Sequence, residues 1–257
     1  MPQRARNRYL HSLRLLSGRD LRVRYATSWL GYLWSVLDPL VMGMIYLFIF
    51  TYFLKRDVGE QPYVVFLLTA LFPWVWFSAS LSDFTRAFRK DARLVRSTAI
   101  PRSVWVNRIV VSKGMEFLFA IPVVAFFAIV FGAQLHIGVL WVPVAVLLQA
   151  LLLVGLGLLI APLCVLFTDL ERTTSLLLRA LFYGSPIIYG IGDLPDNLSR
   201  VAAWNPLAGI FSLYRMAFFP GQANLYATLV SVGMIVVIFG LGLTVFRRLE
   251  ATVLKEL

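Results

Sequence analysis

Three arginines, Arg19, Arg22 and Arg24, fall within six residues, and the charge-free run that follows carries Trp29, Tyr32 and Trp34 before Asp38. Guanidinium groups pair bidentately with phosphate, so this cluster suits contact with phosphate groups. The same pattern serves equally as a topology signal among anionic lipid headgroups. The other charges in apolar surroundings are Asp38, Lys113 and Glu116. Lys113 lies three residues before Glu116, on one face of a helix, and at about 1.5 Å per residue Asp38 and Glu116 reach similar depth, about 10 to 12 Å inside the membrane boundary. Charge at that depth is costly unless paired. The three are expected to form an intramembrane ion network, with a structural role favoured and substrate contact as the alternative.

Other chemistry has little to build on. No Gly-x-x-x-x-Gly-Lys loop is present, so ATP is not bound here in the phosphate-loop manner. The single Cys164 excludes an internal disulfide framework, and His11 and His136 are far apart, which leaves no zinc site and no Cys/His nucleophile. Asp38 and Glu116 are each isolated in sequence from other carboxylates, whereas an enzyme acting on a polyprenyl phosphate would use paired acids for Mg²⁺. No catalytic, cofactor or metal residues are expected in this chain.

The elements that carry these residues are membrane spans. The 257 residues are 60% hydrophobic with a mean hydropathy of +0.79, far from the quarter-charged surface of a globular domain. Six apolar runs are long enough to cross a hydrocarbon core of about 30 Å: residues 30–54, 63–82, 109–132, 139–166, 176–192 and 226–246. Six crossings put both termini on one side, and 20 of the 24 Lys and Arg residues then share that side. By the positive-inside rule it is the cytoplasm. The net charge of +11 is thereby explained without nucleic acid, and no cleaved signal peptide is expected, since the first apolar run starts only near Leu30. The expected fold is all-α and integral to the membrane, with an interfacial segment 1–29 and a six-span transmembrane domain 30–257.

Three stretches complicate a plain bundle. In residues 1–29, Leu10, Leu13, Leu16 and Leu21 gather near one helical face while Arg14 and Arg22 point to water, as in an amphipathic interfacial helix that Gly18 would break or bend. The loop 83–108 mixes seven basic residues with Phe84, Phe88, Leu94, Val95, Ile100 and Trp105, too many large apolar groups for a solvated charge run, which points to a short helix docked onto something. In the fifth run Gly184-Ser185-Pro186 interrupts the helix, and a break in lipid persists only where protein or water covers the freed backbone. Residues 193–221 read as two short helices dipping into the outer leaflet, the second starting at Asn205-Pro206. Aromatics are plentiful, and those on an interior face, with Trp34, Tyr46, Phe50, Phe182, Tyr183 and Tyr189 the candidates, could line a flat path for sugar rings.

The order of these elements resembles the membrane permeases of type-2 ABC exporters, in the branch that exports O-antigen, capsule, teichoic acid and related lipid-linked polysaccharides. The resemblance is carried by Arg19-Asp20-Leu21-Arg22-Val23-Arg24-Tyr25 followed by Ser28-Trp29-Leu30-Gly31, Trp34 and Pro39, by Leu94 to Arg102, and by Asn205-Pro206 with Tyr214-Arg215. Ile100 departs from the pattern, which has an aromatic before the proline. The resemblance implies a homodimer with a separate ATP-binding subunit beneath each copy, so that ATP and Mg²⁺ act on the partner. It implies a coupling helix around Leu94, Val95, Arg96, Ile100, Pro101 and Arg102, and an outer gate around Trp204, Asn205, Pro206, Tyr214 and Arg215. It also implies a polysaccharide on a polyprenyl pyrophosphate as cargo, exported across a bacterial inner membrane, with Arg19, Arg22 and Arg24 as the cytoplasmic substrate entrance that would attract the pyrophosphate. The arginine bias, 20 of 24 basic residues, points to a GC-rich genome and makes a cell-wall galactan one candidate glycan. A permease for a small lipid or drug, and a multi-pass enzyme acting on polyprenyl phosphate, are the rival readings.

Overall fold

In the computed structural model the described residues are 3–25 and 60–257, with scattered positions between 33 and 49. The first expected span, 30–54, therefore lies largely outside the described residues, as do Asp38, Tyr46 and Phe50. Helix α1 (Gln3–Tyr25) is followed by α2 (Tyr63–Phe84), the short α3 (Ala92–Ser97) and α4 (Ser103–Val130). Then come a 3-10 turn (Ile137–Trp141) leading into α5 (Val142–Leu166), and α6 (Leu170–Gly184). Two short helices, α7 (Asp196–Ala203) and α8 (Pro206–Arg215), precede the long α9 (Leu225–Glu256).

Four of these segments are long and apolar enough to cross a bilayer: α2, α4, α5 with its leading turn, and α9, of 22, 28, 30 and 32 residues. They coincide with the second, third, fourth and sixth expected spans. The fifth differs. Its helix α6 has 15 residues, about 22 Å at 1.5 Å per residue, and is too short to cross alone. It starts earlier than the apolar pattern suggests and stops at Gly184, where Pro186 removes a backbone donor and the chain turns. Helix α1 also differs from expectation, since it runs through Gly18 without interruption. On it Leu21 is buried and Leu13 and Leu16 half-buried, while Leu10 is exposed.

Helix α2 is the axis of packing, buried along most of its length. Trp76 stacks on Phe117 of α4 at 5.3 Å between ring centroids and donates to the Val110 carbonyl at 3.2 Å. From α5 the fully buried Gln149 donates to the Pro73 carbonyl at 2.8 Å, a polar link between two apolar helices of the kind that membrane interiors use. Helices α5 and α9 meet backbone to backbone at Gly155 and Gly242, where a Cβ on either residue would run into main-chain atoms of the other helix. At about 48 Å, α9 exceeds the hydrocarbon core, so its end, with Arg247, Arg248 and Lys255, extends past the membrane boundary at the molecule's basic end.

Candidate functional site

At the basic end an ion cluster joins three elements. Arg108, near the start of α4 and only 2% exposed, donates to Asp20 of α1 at 3.2 Å and to Asp91 at 2.6 Å. Arg19 reaches both carboxylate oxygens of Asp91 at 3.0 Å and lies 3.5 Å from Asp20. Asp91 occupies the position before α3 yet makes no capping bond; its side chain turns instead to the two arginines. The Arg108 guanidinium also lies 4.7 Å from the centre of the Trp105 ring. Of the three arginines read as an entrance, Arg19 is thus held by carboxylates, Arg22 is exposed, and the side chain of Arg24 lies outside the described residues. Sequence reading passed over Asp91 and Arg108. The available signal was that Asp91 is the sole acid between Asp83 and Glu116.

Burial alone would raise the pKa of Asp91, but the charges and hydrogen bonds of Arg108 and Arg19 outweigh it and hold the carboxyl below its ordinary value. A carboxyl depressed in the fold contributes stability above its unfolded pKa, near 4, that is lost as pH falls through its folded value. Thermal melts in detergent between pH 7 and pH 3 should therefore show acid destabilisation, with a flatter profile for Asp91→Asn.

Lys113 and Glu116 pair as expected, at 3.2 Å, with Lys113 only 3% exposed. The third member seen is Asp83 at the end of α2, 3.7 Å from Lys113. Asp38 lies outside the described residues. Beside both groups opens a cavity of about 870 Å³, walled by Arg19, Asp91, Arg86, Arg89, Lys90 and Glu171 among others. Arg86 and Glu171 clasp its rim, with the Arg86 Nε 2.7 Å from the Glu171 carboxylate.

The docking surface expected of the loop 83–108 is smaller than its composition suggests. Phe84, Phe88, Val95 and Trp105 are buried in the protein's own core. Leu94 and Arg96 on α3 remain exposed, and Ile100, Pro101 and Arg102 half-buried. A second cleft, of about 780 Å³, lies between Ile100-Pro101 and Asn7, Arg8 and His11 of α1.

At the opposite end the break after α6 is covered by protein. Arg215, 2% exposed at the end of α8, donates to the carbonyls of Ile187 at 2.8 Å and Tyr189 at 3.1 Å. Its guanidinium lies 3.7 Å from the Phe66 ring centre. The Tyr63 hydroxyl donates to the Ile188 carbonyl at 3.0 Å. Asn205 caps α8, accepting from the Leu207 amide at 3.0 Å, and its amide group donates to Ser185 at 2.8 Å. Ile210, Phe211, Leu213 and Phe219 are buried, so the segment is a packed element. Tyr214 is buried as well, while Trp204 is exposed. Of the aromatics named for a path, Phe182 packs edge-on against Trp74 at 5.6 Å, Tyr183 and Trp34 are exposed, and the Tyr189 hydroxyl bonds the Tyr183 carbonyl at 3.2 Å.

Comparison with known proteins identifies the family. The O-antigen export system permease protein RfbA of Klebsiella pneumoniae is 35% identical over 239 residues, 92% of this chain and 91% of the relative. The polysialic acid transport protein KpsM of Escherichia coli is 27% identical over 244 residues, 93% of each chain. The capsule polysaccharide export inner-membrane protein CtrC of Neisseria meningitidis is 22% identical over 213 residues. The profile of the ABC-2 type transporter family matches residues 11–219, a stretch that begins in α1, takes in the ion cluster and ends just beyond Arg215. The chain belongs to the ABC-2 type transporters.

Proposed function

We infer that this chain is the membrane permease of an ATP-driven exporter that moves a lipid-linked polysaccharide, of the O-antigen, capsule or galactan type, from the cytoplasmic to the outer side of a bacterial inner membrane. The observation that carries this reading is the full-length similarity to an O-antigen export permease, 35% identical over 92% of the chain. In the same reading the protein is a transport subunit and no enzyme, crosses the membrane six times with both termini cytoplasmic, and works as a homodimer with two copies of a separate ATP-binding subunit.

The roles follow the layout. Exposed Leu94 and Arg96, with Ile100, Pro101 and Arg102, form the coupling surface that rests in the ATP-binding subunit, and the cleft beside α1 widens that seat. Asp91 at the head of α3 is tied through Arg108 to α4 and through Arg19 to α1. A push on α3 is thereby delivered to a membrane span and to the entrance helix together, as a rigid-body displacement. Helices α7 and α8 form the outer gate, with Arg215 as its anchor. The relatives favour a polysaccharide over a small lipid or drug as cargo, since they are O-antigen, polysialic acid and capsule export proteins. Depleting the protein in its host should leave full-length lipid-linked glycan accumulated on the cytoplasmic face; a block before the polymer is complete would contradict export.

A further inference from the structure

Between α2, α4, the turn leading into α5 and the end of α8 lies a cavity of about 240 Å³, walled among the described residues by no charged side chain. Leu68, Phe72, Phe117 and Ala120 form a buried floor, whereas Ile121, Leu135 and Val139 are exposed at its rim. An apolar rim on a membrane protein faces hydrocarbon, so the cavity opens sideways to lipid. Leu135 lies between the end of α4 and the turn before α5, at the membrane boundary, and Ile121 lies nine residues before Val130, where α4 ends. Nine residues of helix are about 14 Å, close to half of a hydrocarbon core of about 30 Å. The cavity therefore runs the depth of one leaflet.

The polar side chains on its wall are Thr69 and Tyr214. The Thr69 hydroxyl is engaged, donating to the Phe66 carbonyl at 2.8 Å. The Tyr214 hydroxyl is buried and has no hydrogen-bond partner among the described residues, although its ring is held edge-on against Phe117 at 5.7 Å between centroids. A buried hydroxyl left unpaired costs free energy that a single acceptor recovers. The His136 amide donates to the Ala217 carbonyl at 2.8 Å, which pins the turn to the end of α8 and holds the wall around this hydroxyl in place.

We propose that this cavity holds one acyl chain of a glycerophospholipid from the surrounding bilayer, with the ester carbonyl of that chain accepting from the Tyr214 hydroxyl. The wall has no charge with which to choose a headgroup, and the ester is the acceptor that every such lipid carries where its chain enters the hydrocarbon. An apolar cavity of about 150 Å³ is already large enough for benzene, and this one admits a longer stretch of methylene groups. The bound chain fills the gap between α4 and the segment anchored by Arg215, so the lipid is part of the packing there. The site needs only the membrane setting and stands apart from the export reading.

The test is photolabelling of the permease with its ATP-binding partner in nanodiscs that contain phosphatidylcholine with a diazirine in one acyl chain, the labelled peptides being mapped by mass spectrometry. Label should fall on Leu68, Ile121 or Val124, and unlabelled diester phosphatidylcholine should compete about fivefold better than its diether analogue, which lacks the carbonyl. Tyr214→Phe keeps the ring and should erase that preference. Ala125→Phe, on the cavity wall near the rim, should block labelling and covers the case in which Tyr214→Phe impairs folding. Diester phosphatidylglycerol should compete as well as diester phosphatidylcholine. Equal competition by diester and diether lipids on the wild type, or an unchanged preference in Tyr214→Phe, would overturn the proposal. So would a clear preference for one headgroup, stronger competition by polyprenyl phosphate, or label that falls elsewhere because a second copy of the chain covers the cavity.

Discussion

Arg215→Met is expected to destabilise the protein by about 3 kcal/mol and to open the outer segment. The methionine keeps the apolar stem but removes the two charge-assisted bonds to the carbonyls of Ile187 and Tyr189, each worth about 1.5 to 3 kcal/mol, and the contact with Phe66, worth about 2 kcal/mol when desolvated. Against this stands the desolvation of a buried guanidinium, which the substitution relieves, so the net loss is well below the sum. The two carbonyls then lie in an apolar interior without donors, where no water compensates. Denaturant unfolding in detergent measures the loss, and thiol labelling of a cysteine placed at Ile188 reports the opening. Arg215→Lys should fall between, since one ammonium keeps the charge but cannot reach both carbonyls in the guanidinium geometry. Wild-type stability in Arg215→Met would show that the break is held by something other than this clasp.

The second large effect is at the other end. Arg108→Met is expected to cost about 3 kcal/mol, because removing one member of a buried ion group leaves the rest uncompensated. Asp20 and Asp91 would then face each other with only Arg19, itself 37% exposed, to balance them. The cost sits at the low end of the usual range because both carboxylates keep some access to water and Asp91 can take up a proton. Beyond stability, the variant should hydrolyse ATP with its partner while transporting less glycan per ATP, since α3 loses its tie to α4. Replacing Asp20, Asp91 and Arg108 together by apolar residues of similar volume should recover much of the stability but not the transport ratio. Coupled transport in that triple variant would show that the ion cluster is structural alone.

Much of this was legible in the sequence because bilayer crossing imposes length and hydropathy so strongly. Helices α2, α4, α5 and α9 sit within a few residues of their apolar runs except at their ends, where α4 starts six residues early and α9 continues ten residues past Phe246 in polar sequence that helix propensity alone extends. The cap at Asn205 was legible because capping is local. Pairings across the chain were not. Nothing local links Asp91 to Arg19 or Asp83 to Lys113, and the apolar residues of the loop 83–108 looked like a docking face because sequence cannot say that Phe84, Phe88, Val95 and Trp105 turn inward. The length of α6 was misjudged for a related reason. An apolar run continuing through Gly184-Ser185-Pro186 reads as a span, and only the bonds from Arg215, Tyr63 and Asn205 show that the chain can turn there within an apolar setting.

The most direct measurement of export is translocation itself, with the permease and its ATP-binding partner reconstituted in proteoliposomes and lipid-linked glycan supplied on the face where ATP is added. The glycan should become protected from an added glycosidase, dependent on ATP hydrolysis and greatly reduced in Arg108→Met. Protection that develops equally without ATP, or a complex that hydrolyses ATP and moves a small lipid or drug while the glycan stays accessible, would contradict it.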